Sequence, residues 1–207
     1  MFRLFPMLVA AVLLTGAPAQ ADTRVFVMFD MSDSMNQPMD SQFCIGPRVQ
    51  CLMVKAEAQL QVFKQALFSL QPPQCAPISL KLVFWNVFIS YNSNWIDVSD
   101  AKGVQTMQAT LKVAPRVVET VTNQRLAFDY AVRILRKAPQ HDYAVIMVSD
   151  GNPSDDWSVS YGSRTAQLSG FLFYNITFAD SITSSALRQK FVDNLAEIQD
   201  TLHGCIG

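Results

Sequence analysis

The sequence predicts an α/β fold in which helices cover both faces of a doubly wound, mainly parallel sheet with one antiparallel edge strand. Three observations indicate this class. Continuous apolar segments recur along the chain, as in strands that are buried on both faces. Segments with helical periodicity lie between them. Two apolar segments are separated by only a short turn, which predicts a single hairpin.

The first half of the chain predicts three strands and two helices. The first helix ends before a double proline, and the second begins at an aspartate N-cap. A loop over residues 31–50 follows the first strand, and Asn86 forms the hairpin turn. The predicted elements, in order, are the strand Val25–Phe29, the helix Cys51–Leu70, the strands Ile78–Trp85 and Val87–Tyr91, a continuation of the latter over Trp95–Val98, and the helix Asp100–Val113.

The second half alternates regularly between helix and strand. Proline ends its first helix, and apolar residues at helical spacing mark its last. In an open sheet of this kind, ligands bind at the carboxyl ends of the strands, where the strand order switches. The predicted elements are the helix Thr122–Lys137, the strand Tyr143–Val148, a short helix Ser163–Leu168, the strand Phe171–Phe178 and the helix Ser181–Leu202.

The first 21 residues have the pattern of a signal peptide. Arg3 precedes the uncharged apolar run Leu4–Leu14, and Ala19-Gln-Ala21 provides a cleavage site. The run is shorter than the roughly 20 residues of a membrane span. We therefore expect cleavage, with an uncleaved anchor as the alternative. Cleavage leaves 186 of the 207 residues as one domain, 22–207, without a membrane span, in the periplasm or secreted.

The charge balance argues against a nucleic-acid partner. The chain has 16 basic and 17 acidic residues, and removing the signal peptide takes away only Arg3. Binding to a phosphate backbone requires a clustered basic face, and no Lys/Arg cluster is visible.

All four cysteines follow the predicted cleavage point, and an exported chain enters an oxidising compartment. Four cysteines allow three pairings. We favour Cys44–Cys51, which closes a short loop, and Cys75–Cys205, whose long closed loop predicts about 3–5 kcal/mol of stabilisation. Zinc ligation is the alternative, but the sequence has no C-x-x-C pair and only two histidines.

A candidate cation site follows the first strand. Asp30, Ser32 and Ser34 place one carboxylate and two hydroxyls on a tight loop, and such hard oxygens suit Mg²⁺, with Mn²⁺ or Ca²⁺ as alternatives. Asp150 follows a second apolar strand, and Gly151 permits the sharp turn there. We expect the two strands to be neighbours, so that both carboxylates share one cation.

This Asp-x-Ser-x-Ser pattern after a hydrophobic strand resembles the metal-ion-dependent adhesion site (MIDAS) of von Willebrand factor type A (vWA) domains. The likeness covers most of the chain after the signal peptide and is greatest to a secreted bacterial branch of the family. It implies a binding protein rather than an enzyme, in which the cation engages a carboxylate of a protein partner.

The resemblance also implies a role for each site residue. In the family, a loop before a helix supplies a threonine to the site, and the segment 122–131 is similar to that threonine and the helix start after it. Thr122 is therefore the candidate ligand, and Thr120 is the alternative. The serines of the loop would bind the cation directly. The two carboxylates, Asp30 and Asp150, would act mostly through coordinated water and leave one position for the partner's oxygen.

Four residues after Asp150 are candidates for partner binding. They are expected to face the same side as the site because they lie in the loop after Asp150, and they are Asp155, Asp156, Trp157 and Tyr161. An exposed Trp and Tyr beside a site suggest recognition, since interface anchors favour these residue types. The alternative is a solvated loop with one buried aromatic side chain.

Simpler interpretations compete with the cation site. Asp30 and Ser32 could cap a helix or tighten a turn, as could Thr122. Three methionines at four-residue spacing, Met31, Met35 and Met39, could hold Cu(I), although methionine more often fills gaps in packing.

Enzyme interpretations are weaker. A phosphohydrolase of the haloacid dehalogenase type also begins with an apolar strand ending in Asp, but it needs a second Asp where Ser32 stands. His141 and His203 are not placed to activate a serine. A metal-free scaffold that binds by surface shape is a third interpretation.

Overall fold

A computed structural model describes residues 22–39, 54–69, 77–112, 122–151, 153, 155–178 and 182–204. Six strands and five α-helices lie along these residues. They are β1 (Thr23–Asp30), α1 (Lys55–Ser69), β2 (Ile78–Trp85), β3 (Ile89–Asn92), β4 (Ile96–Asp97), α2 (Ala101–Leu111), α3 (Gln124–Leu135), β5 (Asp142–Ser149), α4 (Val159–Ser169), β6 (Leu172–Thr177) and α5 (Ser184–His203).

The sheet is mainly parallel, which confirms the predicted fold class. Its strand order is β3-β2-β1-β5-β6, and β1 pairs in parallel with both β2 and β5. Among the described strands only β3 and β4 run antiparallel, both against β2, so the interrupted hairpin forms one edge. The central position of β1 places Asp30 opposite Trp85 of β2 and one residue past the Phe29–Val148 pair with β5.

The sheet has a buried core on each face because side chains alternate along every strand. On one face Val25, Val27 and Phe29 pack with apolar residues of α1, α2 and α5. On the other, Phe26 and Met28 pack with residues of α3 and α4. All five side chains are fully buried, as expected for a strand at the centre of a sheet.

Four predicted helix starts are wrong. α5 begins at Ser184 rather than Ser181, because the Thr183 side chain caps it by accepting from the Ala186 N–H. α1 begins at Lys55 rather than Cys51, because Val54 forms a β-bridge with Pro38. α3 begins at Gln124 rather than Thr122, since the Asn123 side chain caps it by accepting from the Leu126 N–H. α4 begins at Val159 rather than near Ser163, because Ser158 is its N-cap. In each case a local hydrogen bond, not the apolar pattern, determines the boundary.

The methionines of the first loop belong to the core. Met31, Met35 and Met39 are all buried and pack with the α1 face of the sheet. A short 3₁₀ turn, Asp33–Asn36, lies within this loop. The methionines therefore fill core volume, as the packing alternative to a copper site predicted.

Several predictions lie outside the described residues. They concern the signal peptide over residues 1–21, the pairing of Cys44, Cys51, Cys75 and Cys205, and the alternative ligand Thr120. Among the helices that the structure does describe, none combines the length and apolarity needed to cross a bilayer.

Candidate metal centre

Asp30 is held in a fixed orientation at the carboxyl end of β1. Its Oδ1 accepts the Ser32 backbone N–H at 2.9 Å, and its Oδ2 accepts the Ser149 hydroxyl at 2.7 Å. The side chain is completely buried. Because each carboxylate oxygen has a donor, Asp30 both closes the turn that carries the serines and links β1 to β5.

The two serine hydroxyls are close neighbours. Ser32 Oγ lies 3.1 Å from Ser34 Oγ, and the Ser32 carbonyl accepts the Met35 N–H at 3.0 Å, which fixes the turn between them. This separation is that of a hydrogen bond between the two hydroxyls. It also places the two oxygens close enough to be neighbouring ligands of one divalent cation.

Sequence reasoning missed the residues that support Asp30. Gln124 Nε2 donates to Ser149 Oγ at 2.6 Å, which makes a chain from α3 through β5 to Asp30. Gln59 of α1 donates to the Asp30 carbonyl at 2.7 Å. The one signal in the sequence was the position of Ser149, directly before Asp150 at the end of a strand.

Burial raises the pKa of Asp30 to about 6, from an ordinary value of 3.8. Hydrogen bonds from Ser149 and Ser32 act in the opposite direction, and the negative charge of Asp150 raises the pKa further. Among the described residues no basic side chain contributes to this pKa. The Asp30 carboxylate is buried and no cationic side chain in the described part of the chain lowers its pKa, so a divalent ion bound beside it would stabilise its charged form.

This pKa predicts that the metal-free protein loses stability as the pH rises from about 4 to about 6. The folded state binds the Asp30 proton more tightly than the unfolded state, so deprotonation costs about 3 kcal/mol, and the cost is complete above pH 6. Urea unfolding in EDTA at pH 4 and pH 7 measures this change. In Asp30→Asn that part of the pH dependence should disappear, and equal pH dependence in both proteins would refute the assignment.

The remaining predicted ligands lie at the same edge of the sheet. Asp150 immediately follows β5, next to β1, and is close enough to act on the Asp30 pKa. Gly151 has a φ of 85°, which allows the chain to turn sharply after it. Thr122 is buried and stands directly before the Asn123 cap of α3, two residues from the Gln124 side chain that reaches Ser149.

The histidines lie elsewhere. His203, at the end of α5, contacts the Thr23 hydroxyl at the start of β1, and His141 directly precedes β5. Both therefore lie toward the amino ends of the parallel strands, the opposite edge from Asp30.

Trp157 is not the exposed anchor that the sequence suggested. It is 8% exposed and packs against Phe128, with 5.1 Å between ring centroids. Gly162 makes room for it, since a Cβ there would lie 2.7 Å from the Trp157 ring. Tyr161 lies in the first turn of α4, not in a loop.

The two aspartates of this region are attached to α3. Asp155 accepts the backbone N–H groups of Arg125 and Trp157, at 2.7 and 3.2 Å. Asp156 pairs with the Arg125 guanidinium. This loop therefore contacts the start of α3, beside Thr122.

The candidate donor set consists of two carboxylates and three hydroxyls. No group of three His, Cys, Asp or Glu side chains in the described part of the chain is arranged to hold a metal ion. Any cation at this edge would depend on serine and threonine oxygens, which are ligands suited to a hard ion rather than to zinc or copper.

No protein-family model and no curated protein sequence matches the chain. Solved structures do resemble it, and they include the following three. A mutant of the PilB minor pilin from Streptococcus sanguinis aligns with a TM-score of 0.61 at 16% identity, over 93% of this chain and 65% of the pilin. A von Willebrand factor type A protein from Catenulispora acidiphila aligns with a TM-score of 0.52 at 16% identity, over 86% of this chain and 43% of that protein. The manganese-loaded TRAP protein of Plasmodium vivax aligns with a TM-score of 0.50 at 12% identity, over 88% of this chain and 74% of TRAP.

These alignments and the strand order define the class of the fold. The chain has the fold of a von Willebrand factor type A domain. It spans about two thirds or less of most of the similar bacterial proteins, so it corresponds to a part of each.

Proposed function

We propose that this protein is an exported, metal-dependent binding domain that holds a divalent cation at the carboxyl edge of its sheet and presents it to a protein partner. The observation that carries the proposal is the buried Asp30 carboxylate, which is oriented by two hydrogen bonds beside a pair of hydroxyls and a second carboxylate. Export follows from the predicted signal peptide, which places the domain in the periplasm or outside the cell with two disulfides.

Mg²⁺ is the favoured cation, with Mn²⁺ second. Ser32, Ser34 and Thr122 supply neutral oxygens, while Asp30 and Asp150 supply the charge that balances the ion. When bound, the cation acts as a Lewis acid that attracts an anionic oxygen. Because its direct protein ligands are neutral hydroxyls and the two carboxylates act mostly through coordinated water, the cation keeps an affinity for an anionic oxygen, and a carboxylate from a partner is a favourable last ligand.

A protein partner is more consistent with this site than a small substrate. The proteins of similar fold include a minor pilin, a von Willebrand factor type A protein and TRAP, and their likeness supports a binding role. The binding energy would come from one metal–carboxylate contact and the surface around it.

Calorimetric titration with Mn²⁺ and Mg²⁺ tests the role of the serines. Ser32→Ala and Ser34→Ala should each weaken cation binding by at least about tenfold, because each removes a ligand while leaving the core unchanged. Ser163→Ala, at an exposed position of α4, is the matched control and should bind as the wild type does. If both loop variants keep the wild-type affinity, the cation is not held by these hydroxyls.

A further inference from the structure

We propose that two copies of this chain associate through the outer edge of β6, with the two β6 strands antiparallel, so that their sheets join into one. β6 (Leu172–Thr177) lies at the end of the strand order, and among the described residues it pairs only with β5. Its other edge therefore offers backbone N–H and C=O groups to a further strand. This inference does not depend on the candidate cation site.

The edge of β6 lacks the features that usually prevent such pairing. Its six residues, Leu-Phe-Tyr-Asn-Ile-Thr, include no charge and no proline, and its register against β5 is regular. The opposite edge of the sheet is different: β3 has four residues, β4 has two, and the register of β3 against β2 shifts between Phe84 and Trp85. Short and irregular edge strands disfavour pairing, whereas a regular, uncharged edge favours it.

The hydrogen bonds with β5 determine which backbone groups of β6 point outward. Phe178 donates its N–H to the Ser149 carbonyl at 2.7 Å, so its backbone groups face β5. Successive residues of a strand direct their N–H and C=O groups to opposite sides, so every second residue back from Phe178 also faces β5. The outward groups of β6 therefore belong to Phe173, Asn175 and Thr177.

These three residues are symmetric about Asn175, and this symmetry selects a second copy of the chain as the occupant. When two β6 strands run antiparallel with Asn175 opposite Asn175, Phe173 of each copy lies opposite Thr177 of the other. Each pair then exchanges two backbone hydrogen bonds, so every outward group has a partner. Any shift of this register leaves some outward groups unpaired. A two-fold axis through the Asn175 pair relates the copies, as is usual for homodimers.

The side chains that this register brings together are compatible. Phe173 lies opposite Thr177, and on the other face of the sheet Tyr174 lies opposite Ile176; aromatic and β-branched residues are favourable cross-strand pairs. Asn175 lies opposite its own copy, and each amide has a donor and an acceptor for the other. Phe173 and Tyr174 are half-buried in the single chain, so pairing would remove more of their apolar surface from water. Because β6 has no charged side chain, two copies of the strand do not repel each other.

The antiparallel arrangement determines where the two candidate cation sites lie. Each site is at the carboxyl ends of the parallel strands, and in the dimer these ends point in opposite directions for the two copies. The joined sheet would therefore have one site at each of its two opposite edges. A dimer of this kind can bind two partner molecules from opposite sides.

Sedimentation velocity of the full chain at low and high micromolar concentration tests the inference. The wild type should show a monomer–dimer equilibrium. Asn175→Asp and Asn175→Lys should each lower the association constant by at least about tenfold, because like charges then lie directly opposite each other. An equimolar mixture of the two variants should restore association, since opposite charges then meet. Asn92→Lys, at an exposed position of β3 on the other edge, is the matched control and should associate as the wild type does.

Disulfide trapping provides a second measurement that does not depend on charge. Directly opposed residues of a hydrogen-bonded pair have Cα atoms about 5.5 Å apart, which is within the range of a disulfide. Asn175→Cys should therefore form a covalent dimer under mild oxidation, whereas Asn92→Cys should not. A monomeric wild type at high concentration, wild-type association in charge variants that circular dichroism shows to be folded, or no covalent dimer from Asn175→Cys would each overturn the inference. Cation binding, measured by calorimetry, is independent of these outcomes.

Discussion

Replacing Phe128 with alanine is expected to destabilise the protein by about 3–5 kcal/mol, because it removes a fully buried ring and leaves a cavity. Phe128 lies on α3, and its ring contacts those of Trp157, Tyr161, Phe171 and Phe173, with centroids 5.1 to 6.2 Å apart. Its loss would loosen α3, whose start carries Thr122. Urea unfolding monitored by circular dichroism measures the effect.

The matched control for this substitution is Phe68→Ala. Phe68 is 69% exposed, so its truncation should change the unfolding free energy by less than about 0.5 kcal/mol. Equal destabilisation by the two substitutions would contradict the packing of α3 against the sheet.

Replacing Asp30 with asparagine is expected to weaken Mn²⁺ and Mg²⁺ binding by about 10–100-fold, with the fold intact. Asparagine keeps an oxygen that can accept the Ser32 N–H, but it removes the negative charge that a cation needs. Calorimetry measures the affinity, and thermal unfolding without metal checks the fold. Unchanged affinity would show that the cation, if any, binds elsewhere.

Asp193→Asn provides the control for the loss of one charge. Asp193 is exposed on α5, where its carboxylate accepts a hydrogen bond from the Gln189 side chain of the same helix at 2.7 Å. A general charge effect would weaken cation binding equally in both variants, whereas a site at Asp30 affects only one of them.

The fold was predictable because the strands are continuous apolar runs. Val25–Phe29 could be recognised as a central strand from five apolar residues in succession, and the structure buries all of them. The loop of Asp30 was predictable for the same reason, since polar residues directly after such a strand must lie at the edge of the sheet. Patterns within short segments of the sequence were therefore enough to predict most of the strands and helices and their arrangement.

The support around Asp30 could not be predicted from local sequence. The chain from Gln124 through Ser149 to Asp30 joins α3, β5 and β1, and it depends on the register of β1 against β5. No pattern within a single segment specifies contacts of this range. The burial of Trp157 depends in the same way on a distant residue, Phe128, as well as on the nearby Gly162.

The central claim is that one divalent ion lies between the loop after β1 and the end of β5. Crystals grown with Mn²⁺ test it directly by anomalous diffraction. We expect an anomalous difference peak for Mn²⁺ within about 2–2.5 Å of both Ser32 Oγ and Ser34 Oγ, with Asp30 and Asp150 beside it. A well-ordered site without a peak, or a peak bound to other residues only, would contradict it.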